Sequence, residues 1–264
     1  MLRFYNSGQV FSVSLNGTMK DSIAGLNPSS SNGTVTYVQG PGNLRAGYFK
    51  NNFYTPSYSA PAATCNVYTP SFSINPSITG VTVCTWALIN SECIYSPGGG
   101  YNQNIFLFTP YFTFQYLNNN STYSLSAYAS AADGGGIPRT YPGCSKSYNL
   151  SDIINKWHHL ACTYIEPVTY VYIDGYFIGY SYTQNQTMTV QSGIAMGGLF
   201  LGDRRFADVT LADVRIYNYA LSASDIYSIY SQAGGPGINP QGILTQSLQG
   251  TIGQNCTMRN SGGI

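Results

Sequence analysis

The chain has 264 residues, a formal net charge of +1 and only 8% charged residues, against about 25% in ordinary globular proteins. Its eleven lysines and arginines, with Arg204-Arg205 the only adjacent pair, exclude the basic stripe of a nucleic-acid binder. No apolar run approaches the ~20 residues of a membrane helix, and the length fits one all-β sandwich. In chain order, the weak alternation of Val10-Phe11-Ser-Val13-Ser-Leu15 predicts a first strand. Turn clusters at Pro28–Gly33 and Gly40-Pro-Gly42 bracket a short strand from Thr34 to Val38, and Ala46 to Phe53 predicts another. The Tyr/Pro/Ser stretch from Tyr54 to Pro76 exceeds the ~12–15 residues beyond which a structureless loop is usually functional or disordered, so it is expected to be an interaction surface.

Val81 to Asn90 predicts a strand, followed by a glycine-rich loop from Ser96 to Asn104. Ile105 to Leu117 predicts a strand pair split at Pro110, since proline cannot donate to a central ladder. Thr122 to Ala129 is a strand, Ser130 to Gly143 a second loop, and Ser151-Asp152-Ile-Ile one helical turn. Trp157 to Tyr182 then gives the strongest local pattern in the chain. Three β-runs follow in series (157–165, 168–173 and 176–182), broken at Glu166-Pro167 and at Asp174-Gly175. The second break tolerates the two positive φ angles of a type I′ hairpin turn. Strands are expected at 193–202 and 210–217. Ser222-Ala-Ser-Asp225 has the Ser-x-x-acid spacing of an N-capped helix, expected over 223–231. Residues 1–232 are expected to form one domain, with 233–264 a Gly/Pro linker and C-terminal arm too poor in apolar residues to bury a core.

Trp157-His-His-Leu-Ala with Val171-Tyr-Ile-Asp-Gly175 resembles the central signature of laminin-G-like domains of the concanavalin-A-like lectin/glucanase superfamily. Leu201-Gly-Asp203 and the run from Phe206 to Ser222 resemble that family's closing strand and helix. Leu15-Asn-Gly17 with Asp21-Ser22 resembles its opening, and Val81-Thr-Val-Cys-Thr-Trp86 its tryptophan-bearing strand. The resemblance covers roughly residues 10–230 and is loose over about 90–150. It implies a two-sheet antiparallel jelly-roll sandwich with one short C-terminal helix. It also leaves a calcium ion open, held by rim-loop acids such as Asp133 and Asp203, although no clustered acidic loop offers the 6–8 oxygens that calcium takes. No other cofactor is expected.

Catalysis finds little support in the residues. Glycan hydrolysis needs two facing carboxylates, ~5–9.5 Å apart by mechanism. The chain has only two glutamates, Glu92 and Glu166, and Asp208 and Asp213 differ in strand parity. Adjacent on a strand, His158 and His159 point to opposite faces and cannot share a metal. Gly134-Gly-Gly136 lacks the Lys-Ser/Thr of a phosphate loop. None of the six cysteines, at 65, 84, 93, 144, 162 and 256, has a paired metal spacing. Mostly free thiols are expected, with pairing among Cys65, Cys93 and Cys144 left open.

A glycan site needs aromatic faces together with amide or carboxylate groups, and two loops hold those types: Tyr101 with Asn102, and Asp133 with Arg139 and Tyr141. The expected role is therefore a non-enzymatic structural or interaction subunit of a large assembly, a virion capsid or surface protein foremost, whose partners are other protein subunits. A glycan-binding lectin module is the alternative. The start, Met1-Leu-Arg-Phe-Tyr, lacks the apolar core of a secretory signal. The expected location is therefore a virion or another extracellular surface assembly reached as part of a particle.

Overall fold

The computed structural model describes residues 8–29, 34–50, 66–68, 74, 79–91, 102–119, 122–132, 138–140, 144–182, 193–198 and 207–233. The stretch 54–76 lies largely outside them, and residues 234–264 of the expected arm wholly so. Fifteen strands are described. In order they are β1 (Gln9–Val13), β2 (Thr36–Gln39), β3 (Arg45–Phe49), β4 (Asn66–Tyr68), β5 (Val81–Ile89), β6 (Asn102–Phe108), β7 (Phe112–Asn119) and β8 (Thr122–Ala132). Then come β9 (Pro138–Thr140), β10 (Cys144–Tyr148), β11 (Trp157–Ile165), β12 (Val168–Ile173), β13 (Tyr176–Tyr182), β14 (Ile194–Met196) and β15 (Val209–Tyr217). One helical turn, α1 (Leu150–Ile153), and one longer helix, α2 (Ala223–Gln232), complete the described elements.

Two antiparallel sheets result. The first runs β13-β12-β11-β5-β15-β3-β2, with β1 also on β15; the second runs β10-β8-β7-β6-β14-β4, with β9 on β8. This is the two-sheet jelly roll that the family resemblance implies. Period-2 alternation decides which side chains meet between the sheets. Leu160, Cys162 and Tyr164 of β11 join Val81, Val83 and Ile89 of β5 and Phe112, Phe114 and Tyr116 of β7 in one core. The alternate residues Cys84, Trp86 and Ala161 face outward and are covered by α2 through Ile226, Ile229 and Tyr230.

The central meander forms as its residues dictate. Asp174 and Gly175 take φ of 55° and 77°, the left-handed pair of a type I′ turn. Gly175 is also a close approach, because a Cβ there would lie 2.9 Å from the ring of Tyr230. Helix α2 starts at a capping box: the Ser222 hydroxyl accepts the Asp225 N–H, and the Asp225 carboxylate accepts the Ser222 N–H. Several boundaries differ from the sequence expectation. Strand β6 begins at Asn102, inside the expected glycine-rich loop, because Asn118 of β7 is opposite and extends the ladder. Ladder pairing overrides the weak strand preference of asparagine. Likewise β8 runs to Ala132, and β9 pairs with it inside the expected second loop. Within residues 193–198, the described part of the stretch 193–202, the strand occupies Ile194–Met196.

Candidate functional site

The five residues singled out for ligand binding are only partly described. Asn102 lies in β6 and Arg139 in β9, both on strands of the second sheet rather than in loops. Tyr101, Asp133 and Tyr141 lie outside the described residues, as do Glu92, Asp203, Cys65, Cys93 and Cys256. Cys84 and Cys162 are buried free thiols, and Cys144 is buried as well. Burial pushes the Cys84 thiol up to about 12 and the Cys162 thiol well above its ordinary value. Neither is activated as a nucleophile.

The two histidines separate as their strand parity requires. His158 Nδ1 lies 2.8 Å from Asp174 Oδ2, and its Nε2 lies 2.8 Å from the carbonyl oxygen of Asp152. Both ring nitrogens face oxygen acceptors, so none is left for a metal ion. His159 packs on the opposite face against Trp86 and Tyr230, with ring centroids 5.2 and 6.1 Å away. Burial holds its imidazole down at about 3, so it is neutral in the fold. The described aspartates also serve the architecture. Asp21 accepts three backbone N–H groups, from Ser12, Ile23 and Ala24. Asp213, at a β-bulge with φ of 55°, holds Arg215 through two parallel hydrogen bonds of 2.7 and 2.5 Å. Among the described residues, no group of three or more His, Cys, Asp or Glu side chains is arranged to hold a metal ion.

A surface remains that neither core nor architecture explains. On the outward face of the β12–β13 hairpin, cross-strand register places Tyr172 opposite Phe177, Tyr170 opposite Tyr180, and Val168 opposite Tyr182. Tyr172 is buried at the foot of α2, whereas Phe177, Tyr180 and Tyr182 are 47–53% exposed. The rings form a connected ladder: Tyr172–Phe177 at 5.7 Å, Phe177–Tyr170 at 6.3 Å, Tyr170–Tyr180 at 6.4 Å and Tyr180–Tyr182 at 5.4 Å. Ile165, 55% exposed on the neighbouring strand, extends the patch. Strand β13 itself, Tyr-Phe-Ile-Gly-Tyr-Ser-Tyr, carries no charge and ends its sheet. Edge strands are usually blunted by charge or proline, and grouped exposed apolar side chains mark contact sites. Sequence reasoning missed this patch because tyrosines occur throughout the chain. Period-2 spacing of Tyr170 with Tyr172, and of Tyr180 with Tyr182, is the signal that marks it.

The fold compares closely with known binding domains. The binding domain of botulinum neurotoxin serotype G superposes with a TM-score of 0.58 at 16% identity, over 85% of this chain and 51% of that one. The binding domain of Paraclostridial Mosquitocidal Protein 1 gives 0.58 at 17%, over 86% and 52%. That of botulinum neurotoxin DC, solved in complex with rat synaptotagmin II, gives 0.61 at 13%, over 86% and 52%. At such identities the likeness is one of fold, and the chain spans about half the length of these structures. No curated protein matches the chain in sequence. A family model for the concanavalin A-like lectin/glucanases superfamily, of laminin-G type, matches residues 61–227. With both sheets, the meander and the capped closing helix in place, the chain belongs to the concanavalin A-like lectin/glucanases superfamily as a laminin-G-like domain.

Proposed function

We propose that the chain is a non-catalytic binding module that holds a protein partner through the aromatic face of the β12–β13 hairpin. The exposed, uncharged ring ladder from Tyr170 to Tyr182 carries this reading. Aromatic side chains bury large areas at little conformational cost and dominate the energetics of protein interfaces. Asp21, Asp152, Asp174, Asp213 and Asp225, committed to backbone amides, Lys156, His158, Arg215 and a helix cap, support a role without catalysis. The structural neighbours support it too, since they are binding domains, one of them in complex with synaptotagmin II. The low charge supports a place among the subunits of a larger particle, a virion shell or surface layer foremost.

The triple variant Phe177→Ser, Tyr180→Ser, Tyr182→Ser tests this. It should keep the circular dichroism spectrum of the parent and no longer co-purify with the assembly that carries the wild-type chain. Unchanged incorporation overturns the proposal. A glycan-array signal lost in the same variant moves the reading to a lectin.

A further inference from the structure

A strand at the end of a sheet offers unpaired main-chain N–H and C=O groups to any other strand, and folded chains blunt such edges with charge, proline or shortness. Among the described residues the two sheets end in β13 and β2, and in β10 and β4. Strand β2 has four residues and is followed by Gly40-Pro41. Strand β4 has three residues, and β10 carries Lys146. Strand β13 has none of these guards. It is seven residues long, from Tyr176 to Tyr182, with neither charge nor proline.

One hydrogen bond fixes which way the main chain of this edge points. The Asp174 N–H donates to the His159 carbonyl at 2.7 Å, so Leu160 and Ile173 form a non-hydrogen-bonded pair of the β11–β12 ladder. Ile173 therefore turns its own N–H and C=O to Tyr176 of β13. Alternation along β12 turns Tyr170 and Val168 the other way, toward β11. Their partners in β13, Tyr180 and Tyr182, are then left with N–H and C=O pointing away from β12, on the free edge. The register shift between Val171 and Tyr172 is a bulge on the β13 side, and Tyr180 and Tyr182 lie beyond it in regular pairing. Among the described residues no strand pairs with this edge. Tyr180 and Tyr182 are 47% and 53% exposed, so the edge is open to solvent.

We infer that β13 pairs with β13 of a second copy of this chain, antiparallel about Ser181, and joins the two first sheets into one. In that register Tyr180 of each copy stands opposite Tyr182 of the other, and each pair exchanges both of its N–H···O=C bonds. Ser181 stands opposite itself at the two-fold axis, as a self-complementary interface requires. Tyr-Ser-Tyr reads the same in both directions, so each ring meets its own kind across the axis. The rings of Tyr180 and Tyr182 already touch edge to face at 5.4 Å, and pairing continues that row into the second copy. Charge does not oppose it: the edge has none, and the whole chain has a formal charge of +1. The other end strands are short or carry lysine, so association closes at two copies. This inference rests on the reading of the hairpin as a contact site and names its partner.

Sedimentation velocity of the full chain, from low to high micromolar concentration, tests it. A dimer is expected at the upper end. A monomer throughout overturns the inference, as does a series of larger oligomers. Residue-resolved amide hydrogen exchange on the wild type gives a second measurement. The Tyr180 and Tyr182 N–H groups should slow at least about tenfold between the dilute and the concentrated sample. The Ser181 N–H, turned to Thr169 within the hairpin, should not change. A dimer whose Tyr180 and Tyr182 amides stay fast overturns the inference as well. Two double variants then test the register. Tyr180→Lys with Tyr182→Lys sets like charges across both pairs and should be monomeric at every concentration, with the circular dichroism spectrum of the parent. Tyr180→Lys with Tyr182→Glu sets opposite charges across both and should dimerise again. A dimer in the first or a monomer in the second overturns the pairing. A monomeric wild type whose hairpin triple variant still loses incorporation sinks this inference and leaves the contact site standing. Unchanged incorporation of the triple variant sinks the contact site whatever the mass.

Discussion

Asp174 bonds to both neighbouring histidines at once: its Oδ2 meets His158 Nδ1 at 2.8 Å, and its Oδ1 accepts the His159 N–H at 2.9 Å. The Asp174 N–H donates to the His159 carbonyl at 2.7 Å, so the hairpin turn is stitched to the strand beside it. Because Asp174 also holds a φ of 55°, Asp174→Asn keeps the turn and loses the charge, whereas Asp174→Ala loses both. Asp174→Ala should cost about 2–4 kcal/mol in urea unfolding and Asp174→Asn about 1 kcal/mol. Equal losses would mean that backbone preference contributes nothing.

Protonation of His159 gives a defined acid sensitivity. Its folded pKa, about 3, lies below the unfolded value near 6.5, so the unfolded chain binds the extra proton first. Stability contributed by this group is complete above about pH 6.5. It falls by about 1.4 kcal/mol per pH unit below that, until the folded form protonates near pH 3. His159→Phe keeps a ring against Trp86 and removes this slope. Between about pH 6.5 and 5 the wild type should lose about 2 kcal/mol more than the variant in urea titrations. Parallel curves would refute the assignment.

The Asp213–Arg215 pair should show strong coupling. Arg215→Met leaves the Asp213 carboxylate buried without its fork of donors, a loss of about 3–5 kcal/mol. Adding Asp213→Asn removes the stranded charge, so the double variant should be more stable than Arg215→Met. A double-mutant cycle with a coupling below about 0.5 kcal/mol would show that the pair acts as two independent residues.

Thiol chemistry separates folded from unfolded protein. Cys84, Cys144 and Cys162 are buried, and burial raises the Cys84 and Cys162 thiols. Iodoacetamide at about pH 8 should leave Cys84 and Cys162 unmodified in native protein and alkylate them in concentrated urea. Peptide mass mapping reads the result, and native labelling of Cys84 would contradict the helix cover over it.

The meander, the strand at Val81 and the capped helix at Ser222 were legible in the sequence because each has a local cause. Alternation sets the faces of β11, Asp174-Gly175 sets the turn, and Ser222 with Asp225 sets the helix start. The aromatic face was not legible, because Tyr170 and Tyr180 are ten residues apart and meet only once the register of the hairpin is known. The hydrogen bond from the Asn90 N–H to the Asp208 carbonyl, 2.9 Å, is further from view still. It joins residues 118 positions apart, through an antiparallel ladder that the sequence does not specify. Loops were overestimated at Asn102 and Arg139, where cross-strand partners extend strands through residues of poor strand preference.

Both tryptophans of the chain sit in one corner. Trp86 stacks on Tyr230 at 5.4 Å, and Trp157 packs against the same cluster at the end of α2. Intrinsic tryptophan emission therefore reports on this corner and has no probe in the opposite sheet. A spectral shift that precedes the far-ultraviolet transition would signal that the terminal helix has come away while the sandwich stays assembled. Fluorescence and circular dichroism together thus give a ready measure of whether the molecule melts as one unit.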